Sequence, residues 1–169
     1  ESMERLDAAF REISRYSWVI FTSRNAVKIF FDRMRERHVD LRKLGSLKFA
    51  AVGRGTGEYL ESVGITPDFI PVEYTTKALA HGLVNHLKEN GATSEAGKLL
   101  IPRAKQGSKV LTDTLAEQGY AFDDIPIYDI QVEQTELARL NHADYITFES
   151  GSGVHGFFSG RVAEAASLF

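Results

Sequence analysis

The sequence contains no cysteine among its 169 residues. That excludes disulfide stapling, thiolate catalysis and zinc or iron–sulfur sites built on cysteine, and it fits a reducing, cytoplasmic setting. Long apolar runs are missing as well. The longest is only a few residues, far below the ~18 needed to cross a bilayer, so no membrane span is expected. No basic, then apolar, then small-residue signal opens the sequence. Charge of one sign is not in excess either: 20 Lys and Arg against 23 Asp and Glu leave a net charge of -3 and a pI near 6.0. Nucleic-acid binders usually show a basic face and a pI above ~9, so no nucleic-acid partner is expected. The five histidines, His38, His81, His86, His142 and His155, show no metal-ligand spacing, and the first three read as solvated. There is no G-x-x-x-x-G-K-[ST] phosphate loop and no nucleophile–histidine–acid set.

Short β-rich runs alternate with longer amphipathic ones. The strand candidates are 18–22, 48–52, 68–72, 98–102, 122–128 and 144–149. The first and fourth are nearly continuous in apolar residues, as expected of strands covered on both faces of a parallel sheet. Between them, Ser23 can cap a helix burying Val27, Phe30, Phe31 and Met34, at helical spacing. Thr56 opens a second helix with Tyr59, Leu60 and Val63, stopped by Gly64. Thr75 or Thr76 caps a third that buries Leu79, Leu83 and Leu87 and stops near Gly91. A fourth, over 107–118, buries Val110, Leu111 and Leu115 and ends at Gly119. Five strands alternating with four helices predict an α/β fold with a doubly wound parallel sheet.

The remaining segment is not a further turn of the same unit. Residues 17–31 and 144–158 align without gaps with five of fifteen positions identical: Phe21/Phe148, Ser23/Ser150, Val27/Val154, Phe30/Phe157 and Phe31/Phe158. Strand, polar turn and helix fall in the same order. A repeat of whole-domain period predicts one complete α/β domain over 1–130, a linker over 131–143, and over 144–169 the first strand–helix unit of a second, incomplete domain of the same kind.

In an open parallel sheet, ligands bind beyond the carboxyl ends of the strands. Those ends supply Thr22-Ser23-Arg24-Asn25, Gly53-Arg54-Gly55-Thr56, Pro102-Arg103 and Tyr128. Small polar residues at helix N-termini leave backbone N–H groups open, and these suit carboxylates or phosphates. Ser23 and Thr56 also read as ordinary caps, and Tyr128 reads either as packing at a hinge or as a general acid facing a cleft. Gly53-x-Gly55-x-Gly57 follows a strand, but the third glycine of a dinucleotide fingerprint would fall at Glu58, where an acid would face the pyrophosphate. Asp123 and Asp124 are adjacent and point to opposite sides of a strand, which argues against a paired-carboxylate device. A small-anion or sugar-binding lobe of a bilobed binding protein fits the same pattern.

Taken together, Phe21-Thr22-Ser23-Arg24-Asn25-Ala26-Val27, Ala51-Val52-Gly53-Arg54-Gly55-Thr56, Ile101-Pro102-Arg103, Ile127-Tyr128 and Phe148-Glu149-Ser150 resemble the uroporphyrinogen-III synthase family, in order and in spacing. The resemblance implies flavodoxin-like domains with a cleft between them. It implies a cofactor-free, monomeric, cytoplasmic enzyme of porphyrin biosynthesis that cyclises the linear tetrapyrrole hydroxymethylbilane. That reaction expels the hydroxyl as water and inverts the last pyrrole ring, on substrate received from the preceding enzyme. By motif, Thr22, Ser23, Asn25, Gly53, Thr56, Arg103, Ser150 and Gly151 would bind substrate and Tyr128 would assist departure of the hydroxyl. Glu149 departs from the hydroxyl residue common before the second serine, and the family's opening strand and closing segment are not found, so this chain by itself is expected to turn over little substrate.

Overall fold

The computed structural model describes residues 2–91, 97–129, 145–147 and 154. The chain divides into two units, Glu1–Ile130 and Gln131–Phe169. In the first, α1 (Ser2–Arg11) precedes β1 (Tyr16–Phe21), α2 (Arg24–Glu36), β2 (Lys48–Ala51), α3 (Arg54–Ser62), α4 (Thr76–Glu89), β3 (Lys98–Ala104), α5 (Val110–Glu117) and β4 (Phe122–Tyr128). The four strands form one sheet in the order β2-β1-β3-β4, and every described pairing is parallel. Among the described residues these four strands stand in the order that opens a flavodoxin-like sheet, and Phe69 adds a single bridge on the outer side of β2. The expected α/β doubly wound sheet is therefore present.

The apolar run at Trp18–Phe21 explains the layering. Side chains alternate across a strand, so Val19 and Phe21 enter one core while Trp18 and Ile20 enter the other. On the first face, Leu6 and Phe10 of α1, Val27, Phe30 and Phe31 of α2 and Leu60 of α3 meet Leu100, Ile125 and Ile127 of the sheet. Phe30 is fully buried, edge-on to Phe10 at 5.0 Å, Phe21 at 5.4 Å and Phe31 at 5.3 Å. On the second face, Leu79, Leu83 and Leu87 of α4 and Leu111 and Leu115 of α5 close over Leu99 and Ile101. Fully burying a Phe or Leu side chain contributes roughly 1.5–3 kcal/mol, so a sheet covered on both sides by such residues is the main source of cohesion.

Several expectations require correction. Helix α1 lies outside the expected elements, although Leu6, Phe10 and Ile13 recur at helical spacing and are all buried. The expected strand 68–72 reduces to a single bridge, Ala50 to Phe69. Pro71 lacks the N–H that a longer edge ladder would need. Helix α3 opens at Arg54 with Gly53 as its N-cap, not at Thr56; α5 opens at Val110, later than 107. Thr75, not Thr76, caps α4, accepting from the N–H of Ala78 at 3.0 Å. Gly91 and Gly119 stop their helices with φ of 66° and 76°, the left-handed conformation that glycine adopts without strain. His86 is not solvated: it is half-buried between Trp18 and Phe69, with ring centroids 5.7 and 5.3 Å away.

Of the strand expected at 144–149, only Tyr145, Ile146 and Thr147 are described; they are exposed and not in a strand. The linker at 131–143 and nearly all of the repeat partner at 144–158 lie outside the described residues.

Candidate functional site

The sheet order places a topological switch between β1 and β3: β2 lies on one side of β1 and β3 on the other. A crevice opens at such a point beyond the strand carboxyl ends. Thr22 and Ser23 follow β1 directly, and both are half-buried. Ser23 has extended backbone (φ -163°, ψ 157°), and its Oγ accepts the N–H of Ala26 at 3.1 Å, so it is the N-cap of α2. The same Oγ lies 2.8 Å from the Tyr128 hydroxyl at the end of β4. Residues 105 apart are thereby joined at the positive end of a helix. Either hydroxyl can donate in this contact; the N–H that Ser23 accepts polarises its hydroxyl toward donating.

Asn25 is exposed in the first turn of α2. Helix α3 begins beside it on the neighbouring strand. Gly53, its N-cap, provides no side-chain cap, so the N–H groups of Arg54 and Gly55, which precede the first intrahelical bonds, face outward at the helix start. Thr56 is 5% exposed in the first turn, with its N–H bonded to the Gly53 carbonyl at 3.1 Å. It is a packed residue of the rim, not a cap.

The glycine repeat also has a structural explanation. A Cβ at Gly53 would stand 2.8 Å from Tyr74 Cβ and 2.9 Å from its Cγ, and a Cβ at Gly57 would stand 2.6 Å from Ile70 Cδ1. One helical turn apart, the two glycines form a channel in which residues 70–74 lie against α3. Gly55 faces open space. The spacing serves close packing, so no dinucleotide loop is present.

Arg103 is placed differently from its motif reading. It is 8% exposed, with Nε and Nη2 donating to the two oxygens of Asp124 at 2.6 and 2.7 Å. Its Nη1 donates to the Gly107 carbonyl at 2.8 Å and to that of Ala104 at 3.3 Å. The hydrogen bonds to Asp124 hold the guanidinium above its ordinary range despite burial. Four of its five N–H donors are used within the fold, where it fixes the β3–α5 turn. Ser150 and Gly151 lie outside the described residues. No group of acidic residues and histidines suited to a metal occurs among the described residues, and no described helix is long and apolar enough to cross a membrane.

A second polar cluster lies at the opposite, amino end of the strands. Tyr16 donates to Asp123 at 2.6 Å and Lys98 lies 3.2 Å from the same carboxylate. Burial and the Asp123 charge push the Tyr16 hydroxyl well above its ordinary range. Burial raises Asp123, but the Tyr16 and Lys98 hydrogen bonds outweigh it and hold the carboxyl below its usual value. Asp123 and Asp124 thus engage different partners, as their adjacency on a strand requires. Two residues at the rim escape the motif reading. Asp124 is paired through strand register and Tyr74 through a contact 21 positions beyond Gly53, and neither leaves a local signal.

The fold and rim define a doubly wound α/β unit that carries, at the carboxyl edge of its sheet, two helix N-termini and a serine–tyrosine pair beside the switch point. The family profile for uroporphyrinogen-III synthase HemD matches residues 1–165; the chain belongs to that family. A porphyrin biosynthesis protein HemD from Ruminiclostridium josui is 32% identical over 162 residues, covering 92% of this chain and 31% of the relative. A uroporphyrinogen-III synthase from Synechococcus elongatus is 29% identical over 159 residues, covering 90% and 57%. The chain thus spans between about a third and somewhat over half of these relatives. A crystal structure of uroporphyrinogen III synthase from the extremely thermophilic bacterium Thermus thermophilus superposes with a TM-score of 0.57 at 18% identity, over 74% of this chain and 44% of that one, and shares the fold.

Proposed function

We propose that the protein of which this chain is part catalyses the uroporphyrinogen-III synthase reaction: cyclisation of hydroxymethylbilane with loss of water and inversion of the last pyrrole ring. The rim of the first unit carries the groups assigned to the substrate. The observation that carries this reading is the 2.8 Å contact between Ser23 and Tyr128 at the switch point. Tyr128 gives its proton to the departing hydroxyl, the carbon–oxygen bond breaks and water leaves. Ser23, polarised by the start of α2, donates to the phenolic oxygen as that proton departs. Carboxylates of the substrate lie at the opening turns of α2 and α3, on backbone N–H groups and on Thr22, Asn25 and Gly53, while Thr56, buried with its N–H bonded to Gly53, supports the α3 turn from beneath. Ser150 and Gly151 enter the proposal by motif alone, since both lie outside the described residues. Arg103 supports the rim from within.

No cofactor enters this chemistry, and we propose a cytoplasmic monomer that receives substrate from the preceding enzyme. Family membership removes the ground for a sugar-binding lobe. The test is Tyr128→Phe in the whole protein, assayed for type III product. A fall in kcat of about 10²-fold is expected for loss of a positioned proton donor. Unchanged turnover would reduce Tyr128 to packing.

A further inference from the structure

The rim offers N–H groups and hydroxyls, which suit carboxylates but give nothing to the flat faces of pyrrole rings. One side chain at this edge has the missing chemistry. Tyr74 is an aromatic residue left 61% exposed. It nevertheless has a fixed root. Its Cβ and Cγ lie over the backbone of Gly53, so close that any side chain at 53 would collide with them. The next residue is pinned twice: Thr75 caps α4 through Ala78 N–H at 3.0 Å, and its own N–H bonds the Glu73 carbonyl at 2.8 Å. Ile70 anchors the start of the same segment in the space left by Gly57. Val72, between these anchors, is 98% exposed. An aromatic face is thus held open to solvent where β2 ends, at the N-terminus of α3. The neighbouring strand end, about 4.8 Å away, carries Ser23 and its contact with Tyr128.

We infer that Tyr74 is a substrate-positioning residue that seats one pyrrole ring by stacking while the helix N-termini hold that ring's carboxylates. The inference rests on the tetrapyrrole reading of the rim given above. An aromatic platform one strand from the reacting pair sets which part of a linear ligand lies over Tyr128, because a seated ring fixes where its neighbour falls. Exposed aromatics occur singly on many proteins; the difference here is a rigid root beside an anion-binding edge, which lowers the entropy lost on stacking.

The test uses this chain and the whole protein, titrated with uroporphyrin III as a flat, carboxylate-rich probe and with butane-1,2,3,4-tetracarboxylate as a ringless one. Tyr74→Ala is expected to weaken uroporphyrin binding roughly five- to tenfold, the range of one aromatic pair. It should leave the tetracarboxylate unchanged, and Tyr74→Phe should bind like the parent. Equal porphyrin affinity in the parent and Tyr74→Ala would overturn the inference while leaving the rim reading intact. Parallel loss of both probes would overturn it too, by making Tyr74 a packing residue. A parent protein that binds neither probe would overturn both readings.

Discussion

Replacing Arg103 by Met separates two roles that a motif cannot distinguish. Met keeps most of the apolar stem and removes the guanidinium. Four hydrogen bonds disappear, two of them to Asp124, and the carboxylate is left without its counter-charge. Breaking a fully buried pair by removing one partner costs roughly 3–5 kcal/mol. Here the Arg103 side chain is 9% exposed and that of Asp124 is 28%. Water therefore takes part of the load, which lowers the expectation to about 2–3 kcal/mol. With a urea m-value of about 1–3 kcal/mol/M, the unfolding midpoint should fall by roughly 1 M. Uroporphyrin III binding, measured well below that midpoint, should stay close to the parent. The reasoning is refuted if Arg103→Met unfolds at the parent's midpoint and binds the porphyrin much more weakly, because the guanidinium would then be a receptor and not a brace.

Two further outcomes follow from helix ends and ion pairs. Asp7 accepts from Arg33 at 2.8 and 2.9 Å and from Arg37 at 2.7 Å, and the Arg33 hydrogen bonds hold its carboxyl below the ordinary 3.8. Its contribution is complete above about pH 4 and is lost as pH falls through the lower folded value; Asp7→Asn should therefore be less stable at neutral pH and lose part of the parent's acid-induced fall in Tm, and parallel Tm–pH curves for the two would contradict this. His38 takes φ of 52° where α2 ends, and the bonds from its own N–H to Arg35 and from the Val39 N–H to Met34 are those of a Schellman cap. His38→Gly relieves about 1–2 kcal/mol of left-handed strain against a smaller loss of chain entropy, and thermal melts should show Tm rising by a few degrees; a fall would refute the assignment.

The legible parts of this molecule are those whose cause is local. Ser23 reads as a cap, and the cap of α4 narrows to Thr75 or Thr76, because a cap is defined by the three residues after it. The β1 run reads as doubly covered because its apolar residues leave neither face for water. What stays hidden depends on register and close approach. Arg103 meets Asp124 only because β3 and β4 pair with Ile101 opposite Asp124, and no spacing along the chain encodes that. The glycines at 53 and 57 serve residues 70–74, so their nearest sequence analogy, a dinucleotide fingerprint, is a false lead. The shortfall at 68–72 has a local cause in Pro71, masked by the apolar residues around it. Helix α1 has a local signal as well, in Leu6, Phe10 and Ile13.

The central strand has a consequence for how the unit assembles. β1 is made early, yet its two flanks arrive with Lys48 and Lys98, and Arg5 donates to the carbonyl of Asp124, 119 positions away. Contacts so distant along the chain close slowly. Until β4 is available, Ile125 and Ile127 cannot cover the α1–α2 core. An emerging polypeptide therefore carries part of that apolar face uncovered until β4 is made, and the same strand brings the Tyr128 hydroxyl to Ser23.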